Sequence, residues 1–388
     1  MDVNGDNLIA MVDKIRNVRD VIITNTVLIG EKYAPTFKEK ARVKLFQERL
    51  AQFMADECTT DSYSNPIGII RGTSKAAPPI LLVAHLDTIE SGSSYFNYTV
   101  RKDMIVGHGV DDNSLGVGVL ASLPRIFKEL DLTFKSDIVL AGVIQSIGKG
   151  NLRGMRHLLK TWKGPIRGAI CVEGVELGRL NYYSEGMVRA EIECTSCQKA
   201  GKDNAPNVNL ILVLNEIINK ILELRLPQKP FSQIVFGKIS GGYHHGREPI
   251  AASIGFEVKS DADDIVKEVM SDIRDIVESL SRIYEVELNL KTISNLNATG
   301  LKFNHPLVKA ANEVMHQLKL EPRSDSSESE LSLFLSRSIP AVTLGISHLK
   351  MEGHERAVEI EPAFKGIAQI IGVLKAIDNG VCDGTNMA

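Results

Sequence analysis

Four short apolar runs punctuate this chain: Ile80–Ala84, and the cores of SDIVLAGVIQ, RGAICVEG and SIPAVTLGI. Each is continuous rather than alternating and too short for a helix, so each predicts a strand covered on both faces. Between and around them the apolar residues recur at helical spacing, with charge on the other face. This holds for LIAMVDKIRNV and FKEKARVKLFQERLAQFMADE, which make residues 5–56 mainly helical. It also holds for the run from Asp112 towards Glu129, for NLRGMRHLLKTW, for HPLVKAANEVMHQLKL and for EPAFKGIAQIIGVLKAID. Strands and helices in alternation predict an α/β fold, a mostly parallel sheet with helices on both faces. In such sheets ligands sit beyond the carboxyl ends of the strands.

From about Gly186 the pattern changes. MVRAEIEC alternates, as a strand with one wet face does, and APNVNLILVLNEIINKILEL is an amphipathic helix. FSQIVFGKI and PIAASIGFEVKS read as strands around a Gly-rich loop carrying His244 and His245. DADDIVKEVMSDIRDIVESLSRI is a helix whose acidic start suits its dipole, and YEVELNLKTI is a closing strand. The order β-α-β-β-α-β predicts a ferredoxin-like α+β domain over 186–295, inserted into a split α/β domain of 1–185 and 296–388.

Composition adds exclusions. A length of 388 residues favours two domains, and 44% hydrophobic with 24% charged residues is ordinary for a globular chain. A net charge of −3 without a basic cluster gives no reason to expect nucleic acid. No run reaches transmembrane length and the amino terminus lacks a signal-peptide pattern, so no membrane is expected. Five cysteines are too few for a disulfide scaffold, and the expectation is a cytoplasmic protein with free thiols, Cys194 and Cys197 included.

The chemistry gathers at strand ends. The first central run closes on His85-Leu86-Asp87, and residues two apart on a strand share a face. Gly107-His108-Gly109-Val110-Asp111-Asp112-Asn113 then sets two carboxylates in a Gly-flanked turn, and RGAICVEG ends on Glu173. An imidazole and carboxylates held by rigid elements predict a metal site. Asp112 suits a helix cap or turn. Gly116 and Gly118 read as packing glycines that bring their helix close to the sheet, and SDSSESELS reads as a solvated loop.

AHLDT followed by GHGVDDNSLGVGVL, with GNLRGM, CVEG and SIPAVTLGI in support, resembles the co-catalytic zinc exopeptidases and amidohydrolases. That group includes peptidase T, carboxypeptidase G and the aminoacylases, and the resemblance spans nearly the whole chain. It implies a zinc-exopeptidase-like catalytic domain with a lid and dimerisation domain, acting as a homodimer on small peptides or acylated amino acids. It implies one or two zinc ions, with His85, Asp111 and Glu173 as ligands and Asp87 as the catalytic carboxylate that supports His85. In that family Asp111 would bridge two ions.

Other positions depart from the family. Its paired glutamates, general base and ligand, align with Ser146 and Ile147. Serine accepts no proton near neutral pH without a base of its own, and isoleucine gives nothing to a hard cation. The last ligand histidine aligns with Glu352, leaving His354, His348 and Glu352 open for that place. The stretch after the lid's first strand lacks the family's histidine. Two functions follow: a metal-dependent amidohydrolase, or an inactive relative that binds a ligand or partner.

Overall fold

The protein is described from a computed structural model over residues 8–53, 55–90, 96–196 and 208–384. The chain divides into two compact units, Met1–Tyr183 with Gly300–Ala388, and Ser184–Thr299.

The larger unit is built on a seven-stranded sheet. Its order is Glu57–Thr60, Pro66–Ile70, Ile138–Val143, Ile80–His85, Gly168–Val175, Ala341–Ser347 and Leu180–Asn181. The four middle strands, which contain the four apolar runs, are parallel; the edge strands are antiparallel. Ile80–His85, Ile138–Val143 and Ala341–Ser347 are buried at every residue, as continuous apolar strands must be in a doubly covered sheet. Helices Leu8–Arg16, Arg19–Gly30, Lys40–Gln52, Leu115–Glu129, Arg153–Thr161, Pro306–Gln317 and Ile360–Asp378 supply the covering layers. No helix among the described residues is long and apolar enough to cross a membrane.

Leu115–Glu129 is buried along most of its length, and its glycines divide the work. A Cβ on Gly116 would press on Asn113 and, at 2.9 Å, on the Val172 carbonyl of the sheet. One on Gly118 would meet the backbone of Thr26 at 2.7–2.8 Å. Gly118 therefore brings the helix close to a neighbouring helix, Arg19–Gly30, not to the sheet.

Two features of this unit differ from the expectation. Leu349–Glu352 and Glu355–Glu359 form a hairpin in a small sheet with Met104–Val106 and Thr99–Val100. These strands are two to five residues long and partly exposed, too short for alternation to register. SDSSESELS is not a solvated loop at its end: Ser329 caps a short buried helix, Glu330–Leu335.

The smaller unit is an antiparallel sheet ordered Ser232–Gly241, Ala251–Ser260, Gly186–Thr195 and Glu287–Leu296. With helices Leu210–Leu222 and Asp263–Tyr284 this is the ferredoxin-like β-α-β-β-α-β arrangement. Alternate strand residues, such as Ile192, Ile254, Phe256 and Val258, pack with Val213, Ile217, Ile273 and Val277 of the helices in one core. Cys194 is buried there, while Cys197 lies outside the described residues.

Helix propensity alone makes Gly→Ala stabilising by about 1 kcal/mol, but at Gly118 the added methyl meets backbone. Gly118→Ala should lose about 1–3 kcal/mol of unfolding free energy in a urea titration, as overpacking does. A more stable variant would show that the two helices separate freely.

Candidate metal centre

The central strand delivers His85 at its carboxyl end, buried to 5% exposure. The imidazole Nδ1 lies 3.0 Å from the main-chain carbonyl of Asp87 and 3.7 Å from that residue's carboxylate. The Asp87 carboxylate, fully buried, accepts from the amides of Ser146 (3.1 Å) and Ile147 (2.8 Å) and from the Thr36 hydroxyl (2.8 Å). Asp87 thus holds His85 mainly through backbone, and its side chain pins the loop that follows strand Ile138–Val143. Glu39 fixes the same loop by accepting from the Gln145 amide at 3.0 Å. Buried Arg42 donates to the carbonyls of Leu86, Gly30 and Lys32. No local pattern marks Thr36, Glu39 or Arg42, whose partners lie in other elements.

The acidic turn sends its two carboxylates in different directions. Gly109 is left-handed, with φ 65°, and the backbone leaves helical geometry at Asp112 and Asn113. Asn113 anchors the turn through a 2.8 Å bond to the Val172 carbonyl, one residue before Glu173. Here the strand runs so close that a Cβ on Gly174 would sit 2.5 Å from the Asp111 carbonyl oxygen. The turn carries the Asp112 carboxylate to His85, where Oδ1 lies 3.0 Å from Nε2. The Asp111 carboxylate goes elsewhere: Oδ2 meets Arg356, and buried Oδ1 has no hydrogen-bond partner. Adjacent side chains on a turn diverge, so the Asp-Asp pair alone could not say which one faces the strand end.

Glu173 completes a group of three. Its Oε2 is 3.9 Å from His85 Nε2, and one donor atom from each of His85, Asp112 and Glu173 lies within 4.8 Å of the others. His354 is outside this group, exposed at the two-residue tip of the hairpin from Leu349 to Glu359. Glu352 pairs with Arg101 at 2.6 Å, and His348 is 3.6 Å from Glu176. His244 and His245 are exposed in a loop of the smaller unit. Ser146, where the family resemblance places a general base, donates its hydroxyl to Glu330 Oε1 at 2.5 Å. The signal for Glu330 was a Ser-Glu start before the apolar run of its helix, which marks a helix but not its neighbour.

Burial is the largest influence on His85, Asp87 and Glu173, and the outcomes differ. His85 is disfavoured as a cation by burial, but the bonds to Asp112 and Asp87 and the charge of Glu173 outweigh this. Its pKa stands well above the ordinary value. In Asp87 burial is likewise outweighed, by His85, the Ile147 amide and Thr36, and the pKa falls. In Glu173 burial wins, aided by repulsion from Asp112 and Glu330, and the pKa rises to about 7. Crowded carboxylates around one imidazole are a donor set that a divalent cation suits: it would displace the imidazole proton and neutralise the acids.

Comparison with known proteins agrees with this frame. The model of Peptidase family M28 matches residues 65–145, which hold the His85 strand and the acidic turn. A dipeptidase, Dug1p, from Saccharomyces cerevisiae superposes with a TM-score of 0.76 at 11% identity, over 96% of this chain and 98% of its own. The chain shares the fold of the zinc exopeptidases and amidohydrolases. Human carnosine dipeptidase 1 superposes with a TM-score of 0.72 at 10% identity, over 96% and 100%. A dinuclear metal binding peptidase of the M20 family from Bacillus subtilis gives 0.63 at 14%, over 93% and 98%. No curated protein sequence matches significantly.

In the metal-free protein Glu173 keeps its proton up to about pH 7 when folded, and loses it near 4.5 when unfolded. Between these values the folded state binds the extra proton, so stability falls as pH rises. His85 acts in the same direction higher up: its contribution, present below the unfolded value of 6.5, is lost as pH passes the raised folded value. Chelator-treated Glu173→Gln should therefore gain stability over the parent by on the order of 2–3 kcal/mol near neutral pH relative to acid. Parallel pH profiles in urea unfolding would refute the burial of an unneutralised Glu173.

Proposed function

We propose that the chain is a metal-dependent hydrolase of amide bonds in small peptides or N-acyl amino acids. The convergence of His85, Asp112 and Glu173 carries this reading. We assign one zinc ion to these three. Among the described residues no second donor group accompanies it, with Ile147 in place of a carboxylate and His354 exposed at the hairpin tip. Three protein ligands with an open position are the pattern of catalytic zinc. When bound, zinc would bring the pKa of water towards 7 and polarise an amide carbonyl.

The chain's own residues do the holding. The Asp87 carbonyl orients the His85 ring through Nδ1, leaving Nε2 to face Asp112 and Glu173. Arg356 balances Asp111 behind the turn, so that Asp112 alone is left for the site. A second reading, a relative that binds metal or ligand without turnover, is favoured by Ser146 and Ile147 standing where the family has its two glutamates.

We also assign homodimerisation to the smaller unit. Its strand Ser232–Gly241 is a sheet edge, paired on one side, and exposes Val235 and Ile239. Exposed apolar edges invite strand addition, and a second copy is the self-complementary partner. Free thiols at Cys58 and Cys171 support a reducing, cytoplasmic setting.

Zinc content and turnover on di- and tripeptides and N-acyl amino acids test the main reading. His85→Ala should remove both, and Asp112→Asn should weaken zinc binding more than roughly 100-fold, against about tenfold for Asp111→Asn. Zinc without turnover would favour the second reading; neither zinc nor turnover would end the first.

Sedimentation should give a dimer for the parent, and Ile239→Lys should give a monomer of equal thermal stability. A parent that sediments as a monomer at all concentrations removes the pairing.

A further inference from the structure

We infer that Glu330, reaching Ser146 from a different element, restores a proton acceptor to the strand-end loop; this rests on the hydrolase reading above. Ser146 stands where the family resemblance places a general base, and a hydroxyl alone cannot serve. Its Oγ donates to Glu330 Oε1 at 2.5 Å, with both residues buried, at 8% and 3% exposure. The two lie 184 residues apart in sequence. Each is held independently. The Ser146 amide bonds to Asp87, and Glu330 opens a helix capped by Ser329, itself 2.8 Å from Ser327.

The surroundings argue against a merely structural carboxylate. The ionisable groups facing Glu330 from strand Gly168–Val175 are Glu173 and Cys171, and the charge of Glu330 raises the pKa of both. A buried acid set beside another acid costs stability. A glutamine would accept the serine's hydrogen bond without that cost. A carboxylate in that place fits a group that takes up a proton.

The pair acts as a relay. A water bonded to Ser146 Oγ gives it a proton while the hydroxyl proton passes to Glu330 Oε1. The water oxygen bonds to the amide carbonyl carbon. As the C–N bond breaks, the proton returns from Glu330 through Oγ to the departing nitrogen, leaving a carboxylic acid and an amine. Glu330 is thus a positioning and accepting residue behind Ser146, distinct from the three metal-holding side chains.

The test uses the full zinc-loaded chain with Glu330→Gln, Glu330→Asp, Ser146→Ala and the double variant Ser146→Ala/Glu330→Gln. Glu330→Gln should lower kcat by about 10²-fold or more while KM stays within about threefold. Zinc affinity, read by chelator competition, should stay within about threefold in each single variant. Glu330→Asp should recover part of kcat, and the double variant should be no slower than the worse single one, because the two act as a unit. Glu330→Gln with kcat within about threefold of the parent overturns the relay and leaves the hydrolase reading intact. Loss of zinc in Glu330→Gln also overturns it, by making Glu330 a ligand. A parent with neither zinc nor turnover overturns both. Should Glu330→Gln fail to fold, Ser146→Ala carries the same kcat, KM and zinc comparison.

Discussion

A fully buried carboxylate must find donors or remain protonated, and Asp87 finds the Ser146 and Ile147 amides and the Thr36 hydroxyl. Those three bonds join the end of the central strand to the loop after its parallel neighbour and to the segment before helix Lys40–Gln52. The Asp87 carbonyl meanwhile fixes the ring of His85. One residue therefore sets both the imidazole that faces the acids and the loop that places Ser146 against Glu330. Replacing it would leave two amides without partners in an apolar interior, so its structural and functional contributions are inseparable.

The second constraint is charge. Asp112 and Glu173 gather around one imidazole, the charge of Glu330 acts on Glu173, and Arg356 is committed to Asp111. Without a cation the group balances itself by protonation, with His85 charged and Glu173 neutral to about pH 7. A fold that needed only stability would not collect these acids at the carboxyl ends of apolar strands. Buried Asn65, by contrast, is satisfied by the Gly154 carbonyl and a single carboxylate, Asp61.

What the sequence revealed follows from range. The parallel strands were legible because continuous burial writes an unbroken apolar run, and the smaller unit because single-sided burial writes alternation or helical spacing. His85 and Glu173 were legible because each ends such a strand. The resemblance points to Asp111, whereas which member of the Asp-Asp pair faces His85 depends on backbone dihedrals within a turn, which composition does not encode. His354 was a candidate by residue type, and a two-residue hairpin tip turned it to solvent. Glu330 was illegible because its partner lies 184 residues away, and a Ser-rich flank imitates a solvated loop.

Glu330 also changes what a missing residue means. Alignment scores a position by the residue that stands there, so Ser146 and Ile147 read as a site that has lost its acids. Geometry scores a position by the charge that reaches it. The carboxylate absent from the strand-end loop is supplied by the first turn of a helix that follows, in sequence, the inserted unit. Among the described residues the ligand carboxylate at Ile147 has no such substitute, since the group of three draws on the central strand, the acidic turn and Glu173. The two substitutions are therefore unequal: one is compensated from a distance and the other is not. That asymmetry favours a site for one ion with its own proton acceptor over an intact two-ion centre, and over a centre emptied of chemistry.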